Sequence, residues 1–187
     1  MRFLIIALAV LALAGCSKPQ PAPANEAAES DIGVPTKGVD RSHAGKAMPY
    51  AFLFNADEEK VALAEASGEP LLVNLWASWC APCVKELPTL DALSRRKGAP
   101  RVIAVSQDVG ERPSVDAFLK ANGAGNLESW RDPEMKLTSA LGVQVMPTTV
   151  FYDAAGREVW RYTGDLDWTG EEAARLLAEG AKAASAR

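Results

Sequence analysis

The segment Trp79-Cys80-Ala81-Pro82-Cys83 constrains this chain more than any other feature. It follows an apolar run at residues 71–76, which predicts a buried strand, and it precedes a helix-like stretch. The N-terminus of a helix favours a thiolate, because the amides of the first turn lack partners and the helix dipole is positive there. Two cysteines with this spacing and placement predict a reversible dithiol–disulfide centre.

The N-terminal residues 1–15 form a targeting segment. Arg2 supplies a positive charge, and the apolar stretch 3–13 is shorter than the ~20 residues that span a bilayer. The stretch ends in Leu13-Ala14-Gly15-Cys16, which resembles the lipobox of bacterial lipoproteins, where cleavage precedes a lipidated cysteine. The resemblance implies lipidation of Cys16, and the alternative is a plain signal peptide with an incidental cysteine.

Counting the cysteines narrows the role of the pair. The chain has three, so lipidation of Cys16 leaves only Cys80 and Cys83. A bridge between them closes too small a loop to constrain the unfolded chain much, which favours redox chemistry over stabilisation. Structural zinc needs four ligands, and the single histidine, His43, is better explained as a solvated linker residue. We therefore expect no metal and no cofactor beyond the Cys80–Cys83 disulfide.

Composition divides the rest of the chain into a tether and one domain. Residues 16–48 are rich in Pro, Ala, Glu and Ser and lack apolar periodicity, which predicts a flexible tether. Residues 49–187 are predicted to form the domain, with strands and helices in a βαβ then ββα order that requires a mixed sheet. The net charge of −4 and the absence of a long basic run argue against nucleic acid as a partner. The predicted strands are 50–54, a short one near 61, 71–77, 101–106, 127–130, 148–152 and 158–163, and the helices are 80–97, 113–122, 133–141 and 169–184.

Two motifs together carry a family resemblance. Residues 73–83, read with Glu86-Leu87-Pro88 and with the distant Val145-Met146-Pro147-Thr148-Thr149, resemble the TlpA/ResA-like branch of the thioredoxin superfamily. The resemblance covers residues 50–184. It implies an α/β thioredoxin-like fold with a mixed central sheet, helices on both faces and an N-terminal β-hairpin extension, and it implies thiol–disulfide oxidoreductase activity.

Position assigns roles to the two cysteines. Cys80, at the accessible helix end, is the predicted nucleophile, and Cys83, one turn deeper, is the predicted resolving thiol. The resemblance implies a cis Met146–Pro147 bond beside Cys80, where the Met146 backbone would pair with an extended substrate; the alternative is an ordinary trans proline. Trp79, Ala81 and Pro82 complete the predicted substrate-contacting surface.

Glu86 is the remaining catalytic candidate. It lies three residues after Cys83, hence on the same side of the helix, where its charge would disfavour the thiolate and its carboxyl could relay protons. Members of this branch carry a glutamate here, whereas ordinary thioredoxins carry a buried aspartate in the preceding strand, where this chain has Asn74. The alternative is a solvated helix residue paired with Lys85 or an arginine.

The combined prediction is a lipid-anchored, periplasm-facing thiol–disulfide oxidoreductase. By resemblance it acts as a reductant of envelope proteins, in cytochrome c maturation or disulfide repair, and a membrane thiol reductase recharges it. Ser17 slightly favours the outer membrane over the inner one. The alternatives are a thiol oxidase or isomerase of the same fold, a peroxidase and a metallochaperone-like binding protein. A peroxidase would need a Thr and Arg beside one cysteine, and a metallochaperone would need a histidine after His43; the sequence shows neither arrangement.

Overall fold

The computed structural model describes residues 35–185. The predicted signal segment, the lipidation site Cys16, the sorting residue Ser17 and the first part of the tether lie outside the described residues. The strands are β1 Gly38–Asp40, β2 Phe52–Phe54, β3 Lys60–Ala62, β4 Leu71–Trp76, β5 Arg101–Ser106, β6 Glu128–Arg131, β7 Thr148–Tyr152 and β8 Glu158–Thr163. The helices are α1 Ala81–Ser94, α2 Arg112–Ala121, α3 Lys136–Leu141 and α4 Glu171–Ser185, with a 3-10 turn at Leu63–Ala66.

The strands form one mixed sheet in the order β1-β8-β7-β4-β5-β6-β2-β3. Strand β4 is parallel to β5, and β5 is parallel to β6, with α1 and α2 as the two crossovers. Strand β7 pairs antiparallel with the other side of β4, so that Asn74 lies opposite Thr149. Because every residue of β4 is buried, this strand reads as a continuous apolar run interrupted only by Asn74.

Alternation along the central strands creates two cores, one on each face of the sheet. One face packs beneath α1, α2 and α4, and the other packs beneath α3 and the 3-10 turn. The predicted α/β architecture, a mixed sheet with helices on both faces, is therefore confirmed. The first core includes Leu72, Trp76, Leu87, Leu90, Val115 and Leu176, and the second includes Leu71, Val73, Leu75, Leu137 and Leu141.

The predicted hairpin is also present: β2 and β3 are antiparallel, and the Asn55 side chain accepts hydrogen bonds from the Asp57 and Glu59 amides in the turn.

The predicted boundary between tether and domain at residue 49 is wrong. Strand β1 pairs antiparallel with β8, and the Gly45 amide donates to the Glu158 carbonyl at 2.7 Å. Strand pairing uses backbone groups, which every residue carries. A strand of three residues is also too short to show the alternation of apolar and polar residues by which strands are recognised in a sequence.

Two helices, α1 and α3, are shorter than predicted. Helix α3 begins at Lys136 instead of 133, and the Asp132 side chain accepts hydrogen bonds from the Lys136 and Leu137 amides at 2.9 and 2.8 Å. Helix α1 begins at Ala81 and ends at Ser94, three residues before the predicted end. Among the described residues, no helix has the length and apolar character required to cross a membrane.

Candidate active site

The redox motif occupies the junction between β4 and α1. Cys80 is the N-cap residue of α1, in extended backbone conformation, and Pro82 lies in the first turn, where its missing N–H costs no hydrogen bond. The preceding loop is held from the β5 side: the Asp108 carboxylate accepts from the Ser78 amide at 3.0 Å and from the Ser78 hydroxyl at 2.9 Å. The backbone that leads into the motif is thereby fixed at Ser78, directly before Trp79.

Cys80 and Cys83 form a disulfide, with their Cα atoms 5.2 Å apart. The Cys83 amide donates a hydrogen bond to Cys80 Sγ at 3.3 Å, so the first turn of α1 points an N–H at that sulfur. Burial distinguishes the two residues: Cys80 is 7% exposed and Cys83 is 0% exposed. An incoming group meets Cys80 first, and a thiolate on Cys80 would face the donor end of the helix.

Exposed residues surround the disulfide. Trp79 is 65% exposed, in contrast to the fully buried Trp76, and Ala81 and Pro82 are exposed as well. An exposed indole presents a large apolar face and a polar N–H, so Trp79 offers a contact surface beside Cys80.

The second motif reaches the same region from β7. The Met146–Pro147 peptide bond is cis, as the resemblance implied. Pro147 is buried and directly precedes Thr148, which lies opposite Leu75 near the end of β4. Met146 is half-buried and packs against the core that contains both Cys80 and Cys83. The structure thus brings the two sequence motifs to one end of the sheet.

Glu86 is buried, at 2% exposure, so the alternative of a solvated helix residue is excluded. Its Oε1 accepts from Asn74 Nδ2 at 2.7 Å, and its Oε2 accepts from the Leu166 amide at 3.0 Å and from Trp168 Nε1 at 3.1 Å. Burial raises the pKa of the Glu86 carboxyl to about 7, against the opposing effect of these three donors. The group is thus poised to exchange a proton near neutral pH.

A charged cluster lies next to this carboxyl. Asp165 accepts from Lys37 Nζ at 2.7 Å and from Lys85 Nζ at 2.8 Å, and these two cations lower its pKa to about 2. The resulting negative charge on Asp165 adds to the rise in the pKa of Glu86. Lys85, which the sequence offered as a partner for Glu86, bonds instead to Asp165.

Trp168 and the Leu166 amide were not predicted as parts of the site. They lie in the segment between β8 and α4, eighty or more residues from Glu86 along the chain. A tryptophan in a loop and a backbone amide give no local sequence signal for such a contact. Asn74 was identified as the position where ordinary thioredoxins carry their aspartate, and its hydrogen bond to Glu86 joins the two positions directly.

The residues weighed as metal ligands do not form a common site. Within residues 35–185, no group of three His, Cys, Asp or Glu side chains has an arrangement that could hold a metal ion. His43 lies instead beside β1, with its Nδ1 3.0 Å from Lys46 Nζ and its Nε2 3.7 Å from Asp40 Oδ2.

A CxxC disulfide at the N-terminus of a helix, a cis-proline loop at the same end of the sheet and a buried carboxyl on the same helix define a thioredoxin-fold thiol–disulfide oxidoreductase. The family comparison agrees. The Redoxin family model matches residues 43–177, and the chain belongs to this family.

Relatives with established names point to the same branch. The chain is 31% identical over 142 residues to the thiol:disulfide interchange protein DsbE of Haemophilus influenzae, a match covering 73% of this chain and 77% of that protein. It is 27% identical over 130 residues to the thiol-disulfide oxidoreductase ResA of Bacillus subtilis, covering 69% and 72%. These matches confirm the resemblance to the TlpA/ResA-like branch.

Solved structures support the fold. A Chlorobium tepidum protein assigned as the thiol:disulfide interchange protein DsbE superimposes with a TM-score of 0.61 at 26% identity, covering 73% of this chain and 97% of that one. The exposed lipoprotein thioredoxin of Streptococcus pneumoniae gives a TM-score of 0.55, also at 26% identity, covering 69% and 96%.

Proposed function

We propose that this protein is a reductant of disulfides in envelope proteins, with Cys80 as nucleophile, Cys83 as resolving thiol and Glu86 as proton carrier. The observation that supports this division of roles most directly is the unequal burial of the two cysteines at the start of α1. Only Cys80 has both solvent access and a helix N-terminus directed at its sulfur.

The exchange proceeds in two steps. In the reduced form, the Cys80 thiolate attacks one sulfur of a substrate disulfide, which forms a mixed disulfide and releases the other substrate sulfur as a thiolate. Cys83 then loses its proton and attacks the Cys80 sulfur, which forms the Cys80–Cys83 disulfide and releases the second substrate thiolate. Two electrons pass to the substrate, and a membrane thiol reductase returns two electrons to this protein.

Glu86 lies one helical turn beyond Cys83, with a pKa of about 7. A carboxylate there accepts the Cys83 proton during the second step, because a general base works best when its pKa lies near the working pH. The same negative charge disfavours two thiolates in the resting reduced protein.

The substrate surface is formed by the exposed Trp79, Ala81 and Pro82 and by the Met146 backbone. The Met146 N–H and C=O pair with an extended substrate segment, and Pro147 has no N–H to donate toward the disulfide. By resemblance, the proteins of cytochrome c maturation or oxidised envelope proteins in need of repair are the substrates.

A trapping experiment tests the assignment of the two cysteines. Cys83→Ser leaves the nucleophile but removes the resolving thiol, so it should accumulate covalent mixed disulfides with envelope proteins on non-reducing gels. Cys80→Ser is the matched control, since it keeps the same number of thiols but should trap few partners or none. Equal trapping by the two variants would remove Cys80 from its role.

The direction of electron flow is tested by the Cys80/Cys83 reduction potential against glutathione. A value near the ~−270 mV of thioredoxin fits a reductant, whereas a value near ~−120 mV fits the alternative, a thiol oxidase.

Membrane attachment through Cys16 is the second part of the proposal. It rests on the lipobox-like Leu13-Ala14-Gly15-Cys16 and on the similarity to a pneumococcal lipoprotein thioredoxin. Acyl chains add ~0.8 kcal/mol per buried CH₂, so two or more give lasting attachment. Cys16→Ser should move the protein out of the membrane fraction; an unchanged distribution would exclude the lipid anchor, and separated inner and outer membranes would decide the role of Ser17.

A further inference from the structure

The side chain of Asn74 is bonded on one side only. Its Nδ2 donates to Glu86 Oε1 at 2.7 Å and to Thr149 Oγ1 at 2.9 Å, whereas its Oδ1 is buried without a partner among the described residues. A buried acceptor without a hydrogen bond is unfavourable and uncommon in folded proteins. The amide has this orientation because both of its N–H donors find acceptors, on Glu86 and Thr149. We therefore expect the orientation to depend on the protonation state of Glu86.

That state is the ionised one. Glu86 Oε2 receives two N–H donors, from Leu166 and Trp168, so a proton on Oε2 would point at hydrogen atoms. A proton on Oε1 meets the same conflict with the Asn74 N–H as the amide now lies. All three donors around the carboxyl thus fit a carboxylate, which accepts hydrogen bonds and donates none.

We propose that Asn74 is a positioning residue that turns its side-chain amide over when Glu86 takes up a proton. A half-turn about the Cβ–Cγ bond exchanges Oδ1 and Nδ2, which are nearly equal in size, so the core does not repack. Oδ1 then accepts from a Glu86 hydroxyl on Oε1. The proton comes from solvent or from a thiol of the exchange reaction, and the turn itself transfers no atom.

Thr149 completes the switch because a hydroxyl can both accept and donate. In the ionised state its oxygen accepts from Asn74 Nδ2. In the protonated state its O–H rotates and donates to Asn74 Oδ1 at the same separation. The residues opposite each other on β4 and β7 therefore provide matched partners for both forms of Glu86.

The charged surroundings let Glu86 titrate separately from its neighbours. Asp165, on the segment after β8, has its pKa lowered to about 2 by Lys37 and Lys85 and remains charged wherever Glu86 titrates. On α1 itself the neighbouring groups are Lys85, which bonds to Asp165, and the two cysteines, which do not titrate while they form a disulfide. From β4 and β7 the facing groups are Asn74 and Thr149, which are neutral. In the disulfide form, a change at Asn74 near neutral pH thus reports Glu86.

The role of this switch rests on the proposed function, in which Glu86 is the proton carrier. A proton carrier inside a core must be stable in both protonation states, and it must change between them without moving the helix that carries the cysteines. The turning amide gives each form of Glu86 a matching partner while leaving every heavy-atom position nearly unchanged. Its cost falls on the protonated form, in which the Asn74 N–H groups take the place where Oδ1 now has no partner within the described part of the chain.

The test follows the Asn74 carboxamide by nuclear magnetic resonance in the full chain in its disulfide form, labelled with ¹⁵N-asparagine and ¹³C-glutamate. Between pH 9 and pH 5, the two Asn74 amide protons should shift upfield as they lose their acceptors, with the same midpoint as the Glu86 carboxyl carbon. Asn126 is the internal control, because its Nδ2 donates to Asp91 and does not contact Glu86. Its amide signals should not follow this transition.

Glu86→Gln provides an independent arm. The glutamine carbonyl can accept from Leu166 and Trp168 while its NH₂ donates toward Asn74, which mimics the protonated state at every pH. The Asn74 signals of this variant should stay at their low-pH positions throughout. The proposal is overturned if the wild-type Asn74 signals stay fixed while Glu86 titrates, if Glu86 does not titrate between pH 5 and 9, or if the variant keeps the high-pH signals.

These outcomes are distinguishable from failure of the proposed function. A fixed Asn74 amide together with normal trapping by Cys83→Ser removes only the switch. A turning amide together with equal trapping by the two cysteine variants removes only the assigned roles of the cysteines.

Discussion

The first and second halves of helix α1 each bury a carboxylate, and the two carboxylates have different partners. Glu86 and Asp91 are 2% and 1% exposed. Asp91 bonds to Arg95 Nη2 at 2.9 Å and accepts from the Asn126 amide at 2.8 Å, whereas the donors to Glu86 are all neutral. Burial raises the pKa of Glu86 to about 7 because the bonded partners do not include a cation to offset the lost hydration.

The contrast separates a reactive half of the helix from a structural half. The first turn and a half carries the disulfide and a carboxyl that changes its charge near neutral pH. The following turns use a carboxylate to join the helix to the segment before β6 through Asn126. Two equally buried carboxylates thus have different roles in the helix. The difference between them is that Asp91 bonds to a cation and Glu86, among the described residues, bonds only to neutral donors.

The strongest test of this contrast removes the ionisable group of the first half. The folded-state pKa of Glu86, about 7, lies above the ordinary 4.5, so the folded protein binds the proton more tightly than the unfolded chain. This contribution to stability is complete below pH 4.5 and is lost as the pH rises to about 7, a loss of about 3 kcal/mol at 1.36 kcal/mol per pKa unit. Glu86→Gln should remove it.

Urea unfolding of wild type and Glu86→Gln at several pH values between 4.5 and 7.5 provides the measurement. The difference between the two proteins isolates Glu86, because other carboxyls, such as Asp165 with its lowered pKa, contribute equally to both. A difference that does not vary with pH would show that Glu86 titrates as it does in the unfolded chain.

A smaller effect is expected from the second half of the helix. Asp91→Ala removes a buried carboxylate that accepts from the Asn126 amide and pairs with Arg95, and the loss of these charge-assisted bonds should lower the free energy of unfolding by about 2 kcal/mol. Arg95→Ala, the matched control, should cost well under about 1 kcal/mol, because Arg95 is 61% exposed and its ion pair is screened by solvent. Neither variant should alter the rate of disulfide exchange at 25 °C. A rate change in Asp91→Ala would end the division of the helix into two halves.

The smallest expected effect is a change in the pKa of Glu86 in a variant that keeps this carboxyl. Trp168→Phe deletes the indole N–H that donates to Glu86 Oε2, and the loss of a donor to the charged form should raise the pKa of Glu86 by roughly one further unit. Carboxyl ¹³C titration measures it. Trp160→Phe is the control, since the Trp160 indole is equally buried but donates to the Leu176 carbonyl. The same shift in both variants would indicate a general loosening of the core instead.

The local parts of this molecule were predictable from its sequence. Strands β7 and β8 were predicted at their observed bounds, because apolar and β-branched runs flanking a turn give a clear local signal. The position of Cys80 at the start of α1 follows from Pro82 and the preceding apolar strand for the same reason. The cis bond at Pro147 came from the family resemblance and not from the residues alone.

The parts that join distant segments were not predictable. Glu86 receives a donor from Trp168, 82 residues away, and Asp91 receives one from Asn126, 35 residues away. Such contacts depend on how the segments pack, and neither periodicity nor composition encodes which loop covers a given carboxyl. The edge strand β1 escaped prediction because it is only three residues long, with a single apolar side chain, Val39, packed against the core.

The borders of the sheet carry a consequence for the behaviour of the protein at high concentration. In the described chain the outermost strands are β1 and β3, of three residues each, and they carry Asp40 and Lys60. Long apolar strands with free backbone groups invite pairing with another chain, and short charged borders discourage it. Because β1 and the β2–β3 hairpin cover β8 and β6, the buried central strands are not available as templates for intermolecular sheet growth. The exposed Trp79 and the disulfide thus lie at the end of the sheet, away from the two borders where strands could pair with another chain.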